Sequence, residues 1–88
     1  SGAEAVMANS GIISVDVHGK NRAQARAAVT AALRKCDGSV YRIRVVHGFN
    51  MGTELRDMIR AEFAKAPRVI RVEAGLNPGV TELVIREY

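Results

Sequence analysis

Along residues 12–17 apolar and polar side chains alternate, with Ile13, Val15 and Val17 on one face and Ser14 and Asp16 on the other. A period of two predicts a half-buried strand. Gly19 permits a sharp turn after it, and Asn21 with Gln24 three positions later makes a capping-box pair that starts a helix. Over residues 22–36 the apolar positions Ala25, Val29, Ala32, Leu33 and Cys36 form one helical stripe, with Arg22, Arg26, Thr30 and Arg34 away from it. Asp37-Gly38 ends that helix. Alternation returns at Tyr41, Ile43 and Val45, interleaved with Arg42, Arg44 and Val46, and stops at His47-Gly48. Thr53 is placed to cap a second helix with the stripe Leu55, Met58, Ile59 and Phe63, which Pro67 prevents from continuing. Residues 69–74 and 80–86 read as two further strands joined through the turn cluster Gly75-Leu76-Asn77-Pro78-Gly79.

The order β-α-β-α-β-β predicts a two-layer α/β sandwich. One mixed four-stranded sheet carries two helices on one face, because a strand–helix–strand crossover makes the first two strands parallel. The uncovered face then presents Arg42, Arg44, Arg71, Glu73, Glu82 and Arg86, read first as a solvated surface of cross-strand ion pairs rather than a nucleic-acid contact. Residues 1–11 show little pattern and are read as a flexible N-terminal segment or expression remnant, with 12–88 as a single domain.

Eighty-eight residues suffice for one core. The net charge of +4 leans toward polyanionic partners, though nine carboxylates are interspersed with thirteen cations. The lone cysteine, Cys36, excludes an internal disulfide and a multi-cysteine zinc site. Its place late in a helix favours a small buried apolar role. No long apolar span or charged-then-hydrophobic leader stands out, so a reducing cytoplasmic setting without membrane contact is expected, with a monomer as the simplest state.

The chemistry concentrates in two similar phrases, Val15-Asp16-Val17-His18-Gly19-Lys20-Asn21 and Arg44-Val45-Val46-His47-Gly48-Phe49-Asn50. If their strands are parallel neighbours, both phrases end at the same sheet edge beside two helix N-termini, where ligands of open α/β sheets gather. Unpaired backbone N–H groups and the helix dipole attract phosphate there, with Lys20, Arg22 and Arg56 close by in sequence. Asp16 and His18, two apart on a strand, lean to one face, so the carboxylate can orient the imidazole. With His47 opposite, one imidazole could act as general base and the other as general acid, which suits metal-free cleavage of RNA through its 2′-hydroxyl. Asp16 with the two histidines could instead hold a divalent cation such as Mg or Mn and activate a water for DNA cleavage. The bland alternative is that each histidine merely satisfies a carbonyl at a turn. No Ser-His-Asp order, phosphate-binding GxxxxGK[ST] loop or GxGxxG sequence is present.

These residues also resemble the small MutS-related (Smr) domain over residues 12–88. Val15-Asp16-Val17-His18-Gly19 is similar to the family's strand-end Leu-Asp-Leu-His-Gly, and Val45-Val46-His47-Gly48 matches part of its strand-His-Gly-x-Gly. Gly52-Thr53-x-Leu55-Arg56 looks like its second helix start, and Gly79-Val80-Thr81-x-Leu83-Val84 like its final Gly-x-Thr strand. The resemblance implies an α/β sandwich that binds nucleic acid and, in several members, cleaves RNA or nicks DNA. It carries the acid and histidine of the first motif onto Asp16 and His18, and the histidine and glycine of the second onto His47 and Gly48. The sequence departs from the family at Asn50, where the second motif has its second glycine, and the loop to Arg56 is about one residue longer. Phe49 and Met51 in that loop either narrow the approach of a phosphate or offer a surface on which a base can stack.

The resulting expectation is an endonuclease acting on RNA or on branched or gapped DNA, with Asp16, His18 and His47 catalytic. Gly19, Lys20, Arg22, Gly48, Asn50, Gly52, Thr53 and Arg56 would bind phosphate. The alternatives are a non-catalytic module that holds nucleic acid or a ribosome surface, and a protein-interaction domain on the same fold.

Overall fold

A computed structural model describes residues 6–9, 11–49 and 52–87. The alternation at residues 12–17 produces β2 (Ile12–Asp16) and that at 41–46 produces β3 (Arg42–Val46). They pair in parallel with Asp16 opposite Val46, as the crossover through α1 (Arg22–Lys35) requires. Asn21 caps α1 through the reciprocal bonds of a capping box, its side chain accepting from the Gln24 N–H at 2.8 Å while Gln24 Oε1 accepts from the Asn21 N–H at 3.1 Å. At the other end the Arg68 guanidinium donates to the carbonyls of Leu33 (2.6 Å) and Cys36 (2.9 Å).

The second helix, α2 (Glu54–Phe63), ends well before Pro67. Thr53 occupies its cap position without making a cap hydrogen bond; its hydroxyl donates to Asp57 Oδ2 instead. The chain closes with the hairpin of β4 (Arg71–Ala74) and β5 (Val80–Val84). β5 inserts between β3 and β4, antiparallel to both.

The β-α-β-α-β-β order, the mixed sheet and the two helices on one face are as the pattern predicted. The sheet also gains a fifth strand: β1 (Val6–Asn9), from the segment expected to be flexible, pairs antiparallel with β2 and gives the order β1-β2-β3-β5-β4. Gly11, just before β2, has a left-handed φ of 85°, and its open Cα side lies against the Tyr41 ring, where a Cβ would come within 2.7 Å.

Both predicted stripes meet between the layers. Ala25, Val29, Ala32, Leu33 and Cys36 of the first helical stripe and Ile59 and Phe63 of the second are buried against Ile13, Val15, Val17, Ile43, Val45 and Leu83. Each Val, Leu, Ile or Phe among them contributes roughly 1.5–3 kcal/mol by leaving water. Cys36 is packed in this core just past the helix end, and burial pushes its thiol pKa up. Across the inter-helix seam Arg26 forks onto Glu62.

On the helix-free face Arg42 and Arg44 converge on Glu82, Arg42 reaches Glu73, and Arg71 bonds Glu73 and Glu87. The predicted cross-strand ion pairs are therefore present, but the surface is not uniformly solvated. Glu82 is only 4% exposed. Burial raises its carboxyl pKa, yet the bonds from Arg42 and Arg44 outweigh that and hold it below the usual carboxylate range. No helix among the described residues is long and apolar enough to cross a membrane.

Candidate functional site

Three backbone features build the carboxyl edge of the parallel pair. Gly19 and Gly48 both adopt φ near 78°, which turns the chain sharply at the ends of the two strands. The N–H groups of His47 and Gly48 both donate to the Gly79 carbonyl, at 2.9 and 3.0 Å, pinning the second turn to the start of β5. Gly79 makes this approach feasible, because a Cβ there would lie 3.2 Å from both the Gly48 Cα and the Phe49 ring.

Asp16 and His18 lean to one side and meet, as their spacing predicted. The carboxylate Oδ1 accepts from the His18 ring Nδ1–H at 2.5 Å and from the His18 backbone N–H at 3.1 Å. Desolvation works to raise the Asp16 pKa, but the ring bond, the backbone bond and the charges of His18 and Lys20 together keep it below its ordinary value. The His18 side chain is 70% exposed. With Nδ1 held by Asp16, Nε2 is left facing solvent, the arrangement of an oriented general base.

His47 is placed differently. It is 4% exposed, and both ring nitrogens are engaged. The Gly48 carbonyl, 2.8 Å from Nδ1, can only accept, so Nδ1 carries the proton. Nε2 therefore accepts from the Thr81 hydroxyl at 2.8 Å, and the Thr81 oxygen accepts in turn from Arg60 Nε at 2.9 Å. Burial, reinforced by the positive charges of Arg60 and Arg56, pushes the His47 pKa below its ordinary value against the pull of the Gly48 carbonyl. The expectation of two imidazoles facing one open pocket is thus not met. Parallel pairing of Asp16 with Val46 sets His18 beside Gly48, where a Cβ on Gly48 would lie 3.5 Å from the His18 Cβ. His47 instead continues the inward-facing series of Ile43 and Val45.

Beside the edge, between the N-termini of α1 and α2, lies a cleft of about 340 Å³. It is lined by Gly19, Lys20, Asn21 and Arg22 on one side and by Gly52, Glu54 and Leu55 on the other. Four of the residues expected to bind phosphate, Gly19, Lys20, Arg22 and Gly52, therefore meet there. Lys20 and Arg22 take part in none of the ion pairs of the described residues. Arg56 and Thr53 do not line the cleft and are both bonded to Asp57, whose carboxyl their bonds hold below its usual range. Asn50 lies outside the described residues. A larger groove of about 390 Å³ on the helix-free face includes Arg42, Arg44 and Glu82, but those guanidinium groups already face carboxylates.

Asp16 and His18 do not extend to a metal site. Among the described residues no three His, Cys, Asp or Glu side chains converge so as to hold an ion, and His47 is sealed on the other side of the sheet. The set proposed for Mg or Mn does not fit.

Sequence reasoning missed Thr81 and Arg60 as partners of His47. A signal existed for Thr81, which shares its strand face with the buried Leu83 and so is a polar residue on an inward position. Nothing comparable marked Arg60, whose partner lies 21 residues away on another element.

A family model, the Smr domain, matches residues 15–79. No curated protein matches the chain. Among solved structures, the Smr domain of Thermus thermophilus MutS2 is similar with a TM-score of 0.74 and 28% sequence identity, the match covering 84% of this chain and 98% of that one. The matched span contains both His-Gly phrases, the two helices and the Gly79 contact that joins them to β5, and on that ground the chain belongs to the Smr domain family.

Proposed function

We propose that this Smr domain binds the phosphodiester backbone of nucleic acid at the carboxyl edge of β2 and β3 and cleaves RNA there, with His18 as its proton-transferring imidazole. The observation that carries the reading is the Asp16–His18 pair, an exposed ring with one nitrogen fixed by a carboxylate at 2.5 Å and the other free. The neighbouring cleft supplies Lys20, Arg22 and helix N-termini for the phosphate. In this scheme Nε2 of His18 removes the 2′-hydroxyl proton, the 2′-oxygen attacks phosphorus, and the bond to the 5′-oxygen breaks. The proton held on Nε2 passes to the departing 5′-oxygen, leaving a 2′,3′-cyclic phosphate and a 5′-hydroxyl. Asp16 is the positioning residue, holding the ring in one tautomer and facing the imidazolium that forms. His47 takes no part in proton transfer; it holds the Gly48 turn.

The closure of His47 favours a second reading, a binding module without turnover, because only one imidazole remains where two were expected. The two are separated with end-labelled single-stranded RNA and its 2′-deoxy counterpart in the presence of EDTA. Cleavage of the RNA alone is expected, and His18→Ala should slow it by about 10²–10⁴-fold with little change in thermal midpoint, since the side chain is largely exposed. Salt-sensitive binding with no cutting by the wild-type chain would establish the binding module instead.

A further inference from the structure

Phe49 is 55% exposed although it is a large aromatic side chain. Its backbone is tied on either side. The preceding Gly48 N–H donates to Gly79, and the Phe49 carbonyl accepts from the Gly52 N–H at 3.2 Å. The ring edge rests over the vacant Cβ position of Gly79, its Cδ1 3.2 Å from where that atom would sit. A solvent-facing ring thus follows directly after the residue that abuts His18.

We propose that Phe49 is a stacking platform for a nucleobase next to the phosphate at the His18 edge, and that the substrate class is consequently single-stranded nucleic acid. The proposal rests on the backbone-binding reading above and adds what selects the substrate. A nucleotide whose phosphate sits by His18 carries its base on the same sugar, within reach of an adjacent platform. In a duplex both faces of every internal base are covered by its neighbours, so an aromatic ring can stack only on a base that is unpaired or at an end. Stacking is indifferent to base identity, so the selection is for strandedness and not for sequence. The cationic cleft supplies attraction that any strand would feel; Phe49 supplies the discrimination.

The chain has no tryptophan, so Phe49→Trp installs a single fluorescent reporter at the site. With a short single-stranded RNA its emission should be quenched saturably, because a base lies on the indole. With the same backbone lacking bases, quenching should be absent and binding weaker; with a blunt duplex of equal length, which offers only its two end faces, both should be much reduced. In anisotropy titrations Phe49→Ala should lose about 10-fold in single-strand affinity, Phe49→Tyr should retain it, and Phe49→Leu, which keeps apolar area without a π-face, should not. Equal salt-sensitive binding of normal and base-free strands, with no quenching, would overturn the stacking proposal and leave the backbone-binding reading standing. Absence of binding to any strand would overturn both.

Discussion

One carboxylate separates the behaviour of the two histidines. His18 has Asp16 on Nδ1 and solvent on Nε2, whereas His47 has a carbonyl on one nitrogen and a hydroxyl on the other. The second arrangement has a consequence for stability. Burial holds the folded-state pKa of His47 below its ordinary value, so near the unfolded value of about 6.5 the unfolded chain binds a proton that the folded chain refuses. Stability is then fully present above about pH 7 and falls as the solution is acidified through that value. The depressed carboxylates of Asp16, Asp57 and Glu82 act in the same direction but nearer pH 4, where unfolded carboxyls titrate. Urea midpoints at about pH 7.5 and 5.5 should therefore differ in the wild-type chain, and His47→Gln should flatten the profile over that interval while lowering stability throughout. A pH-independent midpoint in the wild type would contradict the account of His47. The division between the two rings was legible in the sequence. Asp16 and His18 share the parity of the outward Ser14, while His47 shares that of the inward Ile43 and Val45. The two His-Gly phrases are alike in residues but differ by one position in phase, which in a strand places a side chain on the opposite face.

At the scale of elements, caps and register decide where the site sits. The alternation and the helical stripes gave each of the principal elements to within about three residues, because tertiary burial follows the same periods. The fifth strand, β1, was not legible: four residues are too few for an alternation to register, and its pairing depends on the turn at Gly11. Nor was the role of Arg68, since a side chain that crosses from the loop before β4 to the end of α1 leaves no local pattern. Two charge-assisted bonds to the last carbonyls of α1 also oppose the negative end of the helix dipole. Arg68→Ala should cost about 1–2 kcal/mol in urea unfolding and speed amide exchange in the last turn of α1, with Arg68→Lys recovering part of the loss. Unchanged stability and exchange would show that the cap contributes nothing.

Across the whole molecule the charges divide by location. Arg42, Arg44 and Arg71 on the helix-free face are matched by Glu73, Glu82 and Glu87, so a polyanion meets little free positive charge there. Lys20 and Arg22, which enter none of the ion pairs of the described residues, line the cleft beside Gly19 and place positive charge next to the His18 edge. Glycines at 19, 48 and 79 bring that edge together from three separate stretches, and the parallel register of β2 and β3 puts His18 against Gly48 rather than against His47. One phosphodiester-binding edge, in which a single imidazole is open to the ligand, is therefore expected. The two-histidine composition makes this directly observable by NMR, with His47 as an internal control. On titration with a short single-stranded RNA, the ring resonances of His18 should move saturably and those of His47 should stay nearly still. Binding that leaves the His18 resonances unmoved, or that shifts only His47, would contradict it.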